Sequence, residues 1–213
     1  MRQREVLRQS TIDTVNELFP GEQQRRKVTD SDSEFSTRLN KTADMVSEAM
    51  ATHPPFPDTI AAMNRLSKHY KLIALSNCDR DLFSSLCAGP LKGMTWDAIY
   101  LAEDIGAYKP DKKNFEYLFE HAKADFGAEF GWKDEDDVKD GLIMVAQGLG
   151  SDHRPIGKGG YGVHSVWIDR QDQLGKAKGK GIEEEQHRQE WGYRVRLETL
   201  GQLADIVDQA FAA

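Results

Sequence analysis

An α/β fold built on a parallel sheet is the prediction, and three observations make it. Short apolar runs, Leu72-Ile73-Ala74-Leu75, Gly141-Leu142-Ile143-Met144-Val145-Ala146-Gln147 and Ser165-Val166-Trp167-Ile168-Asp169-Arg170, are bounded by polar and turn residues. Runs of this length and setting read as strands buried on both faces. Between them lie stretches whose apolar residues recur at helical spacing, as in Phe115, Leu118, Phe119 and Ala122. Finally, polar chemistry gathers where two successive strands end. Ser76 and Asn77 close the first run, and Lys109 follows the strand expected around Ala98-Ile99-Tyr100. Open α/β sheets bind ligands at the carboxyl ends of their strands, so these three residues are the first candidates for a site.

Taken in order, residues 1–52 read as helices. Thr11 to Phe19 stops at Pro20-Gly21, and a second helix carries Phe35, Leu39, Met45, Val46 and Met50. His53-Pro54-Pro55-Phe56-Pro57 breaks the chain, because proline forbids helix there. A helix with Ile60, Met63 and Leu66 leads into the first strand, and another runs from Asp79 through Leu86. Asp111 is placed to cap a helix over 114–126. The acidic run at 133–137 reads as a solvated turn. Residues 171–189, polar and with Gly175, Gly179 and Gly181, read as a surface loop. Tyr193 to Arg196 is an edge strand, and Leu200, Leu203, Ile206, Val207 and Phe211 form a closing amphipathic helix.

Composition bounds the function. The 213 residues suit one domain with a small helical appendage. A net charge of −7 with scattered Lys and Arg argues against nucleic acid or an anionic membrane surface as partner. No apolar run approaches the roughly 18 residues of a membrane span. Two cysteines, Cys78 and Cys87, make no disulfide framework, so a reduced cytoplasmic location is expected.

Two stretches carry a family resemblance. Leu75-Ser76-Asn77-Cys78-Asp79-Arg80-Asp81, and Trp96 through Gly106-Ala107-Tyr108-Lys109-Pro110-Asp111, resemble the second and third motifs of the haloacid dehalogenase (HAD) superfamily, in its 2-haloacid dehalogenase-like branch. The resemblance implies a HAD-like Rossmannoid core over 53–213 and a shortened helical cap over 1–52. It also implies that Ser76 and Asn77 bind a substrate's anionic group, and that Lys109 steadies negative charge. Gly148-Leu149-Gly150-Ser151-Asp152-His153 is similar to the fourth motif, with Asp152 in its acidic place.

The first motif, an apolar strand ending in a nucleophilic Asp, has no match. Asp13-Thr14-Val15-Asn16-Glu17-Leu18 is the nearest imitation, but the residues before it are too polar for a central strand. A gap is therefore expected between the strand ending at Ser76 and the one ending near Gln147. Without that Asp, a metal ion lacks its ligands, and no cofactor is expected. The surviving set is Lys109, Asp152, Ser76 and Asn77, with Asp152 pairing with Lys109 and His153 shuttling protons near neutral pH.

Three functions follow. The first is non-hydrolytic acid–base chemistry, such as isomerisation, dehydration or cyclisation, on a small organic molecule. The second is a conventional metal-independent hydrolase whose first motif lies upstream. The third is a non-catalytic binding protein. The unfilled sheet position predicts a homodimer.

Overall fold

The computed structural model describes residues 37, 41, 42, 45, 48–158 and 160–212. Asp13 and the helix expected over 11–19 lie outside them. The chain divides into two compact units, Met1–Pro55 with Cys78–Lys92, and Phe56–Asn77 with Gly93–Ala213.

In the first unit, residues 48–52 are helical, and Thr52 donates its hydroxyl to the Glu48 carbonyl. A helix at Arg80–Ala88 (α2) starts at Asp79, whose carboxylate accepts from the Leu82 amide. That N-cap contributes about 1 kcal/mol to a helix of this kind. Cys78 and Cys87 are free thiols.

The second unit holds five parallel strands. The helix at Thr59–Leu66 (α1) leads to β1 (Ile73–Ser76), and β2 (Ala98–Leu101) pairs with it in parallel, Leu75 opposite Tyr100. The strands β3 (Ile143–Ala146), β4 (His164–Ile168) and β5 (Val195–Leu197) form a second parallel ladder. Among the described residues β1 and β3 share no ladder, so the interruption falls where the sequence leads one to expect it. The sheet's interior edge shows the consequence. Ile143 and Val145 of β3 are 47% and 36% exposed, although their run has the composition of a buried strand.

One helix ties both ladders together. A short helix at Ala102–Ile105 (α3) ends at Gly106, in the left-handed region at φ 75°, where a side chain would be strained. Lys112–Phe130 (α4) then follows, capped by Asp111, which accepts from the Lys113 amide. Phe115, Leu118, Phe119, Ala122 and Phe126 form its buried stripe. They pack with Tyr100, Ile73 and Leu75 of the first ladder and Met144 of the second. Each fully buried large side chain there stabilises the fold by about 1.5–3 kcal/mol.

Two readings of the sequence need correction. The acidic run is a helix, Glu135–Asp140 (α5), because Asp134 and Asp137 form a reciprocal capping box and acidic residues favour a helix N-terminus. Residues 171–189 contain two helices, Gln173–Lys178 (α7) and part of Glu184–Trp191 (α8). The buried Asp169 carboxylate caps α7 through the Gln173 and Leu174 amides, a signal that lies before the stretch itself. A five-residue helix, Arg154–Lys158 (α6), precedes β4, and Leu200–Ala212 (α9) closes the chain. The helices α9 and α1 bury Ala62, Leu66, Ala204 and Val207 against each other. No helix among the described residues is long and apolar enough to cross a membrane.

Candidate functional site

The site begins with the direction of a backbone carbonyl. The Ala98 amide donates to Leu72 O across the first ladder. In a parallel pair alternate residues face the partner, so Leu72 and Ala74 point their backbone groups at β2 and Leu75 points away from it. The Leu75 carbonyl is thus free of the ladder, and it accepts from Lys109 Nζ at 2.7 Å.

Lys109 is held there by its own backbone. Its amide donates to Asn77 Oδ1 at 2.7 Å, and its carbonyl accepts from Asn77 Nδ2 at 3.1 Å. Asn77 thereby extends β1 by one side chain and clasps the Lys109 segment in the manner of a strand partner. The sequence assigns Asn77 to substrate binding. Its contacts in the structure are those of a clamp on Lys109. Ser76, half-buried at the end of β1, has no hydrogen-bond partner for its hydroxyl among the described residues.

The ammonium reaches its anion across the interruption in the sheet. Asp152 Oδ1 accepts from Lys109 Nζ at 2.6 Å, and both side chains are nearly buried, at 8% and 12% exposure. An ion pair so enclosed is held by geometry as much as by charge, because desolvation offsets most of the Coulomb attraction. Asp152 stands on a π-helical turn, Leu149–His153, that follows β3. Its other oxygen accepts from the Ser151 hydroxyl at 2.6 Å. A lysine ammonium has three donors. Two are spent on Leu75 O and Asp152, and the third has no partner among the described residues.

His153, expected to shuttle protons, stands apart from this set. Its side chain is fully buried beneath the site. Ala146 O can only accept, so the 3.0 Å contact fixes the proton on His153 Nε2. Nδ1 then accepts from the Ser165 hydroxyl at 3.2 Å. Burial lowers the pKa of the ring, against its bond to Ala146 and the charge of Asp152. With both nitrogens committed to β3 and β4, the ring has no path to a ligand. Its neighbours continue the same sealed cluster. Tyr193, pushed up to about 12 by burial, is hydrogen-bonded to His187 Nδ1 at 3.1 Å, and His187 stacks on Trp167.

Among the described residues, no group of three or more His, Cys, Asp or Glu side chains is arranged to hold a metal ion. Among the described residues, no second carboxylate lies within ion-pair distance of Lys109. Ser151 is the residue that sequence reasoning passed over. The polar step directly before the acidic residue was visible, but its partner depends on the π turn, which sequence does not reveal.

No family model matches the chain, and neither does any curated protein. Solved structures do. L-2-haloacid dehalogenase from Xanthobacter autotrophicus superposes at a TM-score of 0.59 with 17% identity, covering 98% of this chain and 76% of that one. A second dehalogenase gives 0.56 at 17% identity, covering 80% of this chain and 62% of its own length. A HAD-hydrolase from Bacillus subtilis, bound to magnesium, gives 0.55 at 14% identity, covering 94% and 82%. The chain therefore spans a little under two thirds of one of these dehalogenases and about three quarters of the other. At these identities the likeness establishes the fold, and the chain has the haloacid dehalogenase-like α/β fold.

Proposed function

We propose that this haloacid dehalogenase-like chain binds a small organic anion at the carboxyl ends of β1 and β3, and acts on it by non-covalent acid–base chemistry. The observation that carries the reading is the lysine itself. Its ammonium is anchored by Leu75 O and Asp152 and keeps one N–H without a partner among the described residues. A fixed donor of that kind, in a largely water-excluded place, suits a carboxylate or an oxygen on which negative charge develops. The Ser76 hydroxyl, without a partner among the described residues, supplies a second donor at the same strand end. Asn77 and Asp152 hold the lysine in place, and His153 supports the turn from below.

The structural neighbours favour a second reading, hydrolysis at the 2-carbon of a haloacid, since two of them are dehalogenases. It requires a nucleophilic carboxylate opposite Lys109. Among the described residues the only carboxylate in reach, Asp152, has both oxygens occupied.

One experiment separates the readings. The protein is incubated with 2-chloropropionate and with propionate. Binding of both acids that depends on Lys109, without halide release, supports the first reading, and halide release supports the second. If neither acid perturbs the protein by titration calorimetry, and Lys109→Met behaves as the parent does, the site does not bind small carboxylates.

A further inference from the structure

We infer that Ser151 is a positioning residue for the Lys109–Asp152 pair, and that position 148 is a glycine in order to make room for it. The inference rests on the reading of Lys109 as the ligand-facing group, but its test needs no ligand. The starting point is the freedom of an aspartate. The last torsion of Asp is broad and two-fold, so one hydrogen bond leaves the carboxylate plane free to turn. Lys109 fixes only Oδ1. Ser151 donates to Oδ2 at 2.6 Å, and the two bonds together set the plane. Charge-assisted bonds of this length are the stronger kind.

Gly148 gives the independent evidence. Its backbone, φ −77° and ψ 103°, is open to any residue, so conformation does not require glycine. Space does. A Cβ at this position would overlap both Ser151 Oγ and Asp152 Oδ2. The glycine thus has one evident use, which is to let serine and aspartate fold back over the start of the π turn. The Asp152 amide donates to Gly148 O at 3.1 Å and closes that turn on itself. With the plane of Asp152 set, Lys109 is held from two sides, and its remaining N–H has one direction. Without Ser151 the carboxylate can swivel, and the ammonium gains freedom to leave it.

The test is acylation of lysines by acetic anhydride, read residue by residue by mass spectrometry on the whole folded chain. Lys109 must leave Asp152 to react, whereas Lys112 is exposed and serves as the internal reference. In Ser151→Ala, Lys109 acylation relative to Lys112 should rise about tenfold or more, the scale set by losing one hydrogen bond to a charged group. Ser151→Thr, which keeps the hydroxyl, should return it to the parent rate. Gly148→Ala should match or exceed Ser151→Ala. A purely structural role would lower the melting temperature without moving the Lys109-to-Lys112 ratio. An unchanged ratio in Ser151→Ala overturns the inference, and so does a Ser151→Thr ratio as high as that of Ser151→Ala. The same assay on the unmutated protein with propionate addresses the parent reading separately, since protection of Lys109 by the acid there reports ligand binding with Ser151 in place.

Discussion

Asp152 and His153 are neighbours on one turn, yet they belong to two different polar clusters. Asp152 faces Lys109 at the strand ends, in a place where, among the described residues, one N–H and one hydroxyl are unspent. His153 faces down between β3 and β4, into a cluster with Ser165, Tyr193, His187 and Trp167 that is buried throughout. The contrast teaches how to weigh polar residues at the end of a strand. Both side chains are buried and both are hydrogen-bonded. What separates a candidate reactive group from a structural one is whether any donor or acceptor is left over.

The largest effect expected from this contrast is at Lys109. Lys109→Met strands the Asp152 carboxylate and should cost about 3–5 kcal/mol in urea unfolding, the usual result of breaking one side of a buried pair. Adding Asp152→Leu should recover much of that loss while leaving carboxylate binding abolished. If the double variant is no more stable than the single one, the pair is not a closed unit and the contrast with the sealed cluster weakens.

Next in size is the response to acid, which should come from the sealed cluster. His153 and His187 both have pKa values lowered by burial, so the folded state holds them neutral. The unfolded chain takes up those protons first. Stability is therefore fully present above the ordinary histidine range, near pH 6.5. It falls as the pH drops below that range, and the loss levels off below the lowered folded values. Each histidine can contribute a slope of up to about 1.4 kcal/mol per pH unit. Urea titrations between pH 7.5 and 4.5 should show the decline, and His187→Gln should flatten it. A slope unchanged by that substitution would place the acid sensitivity elsewhere.

How far the sequence reveals all this depends on the range of the interaction. The five strands among the described residues were legible to within one or two residues, because apolar runs bounded by turn residues mark strands. The expected strand at 165–170, for example, is His164–Ile168. The α4 stripe was legible through spacing, and its cap through Asp111. Lys109 is legible from its place after a strand end, Asp152 only from resemblance. The fate of His153 was not legible, since nothing local shows whether a residue on a turn points outward or down. The helices at 173–178 and 184–191 were missed because much of their support comes from elsewhere. Asp169 caps one of them, and the other docks His187 onto Trp167. A polar composition hides such contacts.

The smallest stability effects should occur at two hydroxyls, one in each region, and they sharpen the contrast most cleanly. Tyr193→Phe removes the partner of His187 Nδ1 inside the sealed cluster. It should cost about 1 kcal/mol, the net worth of a buried hydrogen bond, with no effect on carboxylate binding. Ser76→Ala removes a hydroxyl that has no partner among the described residues. Its unfolding midpoint should stay within about 0.5 kcal/mol of the parent, as for substitutions away from any bonded feature. Affinity for the carboxylate should nevertheless fall about fivefold, because a donor to the ligand is lost. The reverse outcome, in which Ser76→Ala destabilises the fold and leaves binding intact, would mean that the hydroxyl is structural. Lys109 would then face its ligand without help from the end of β1.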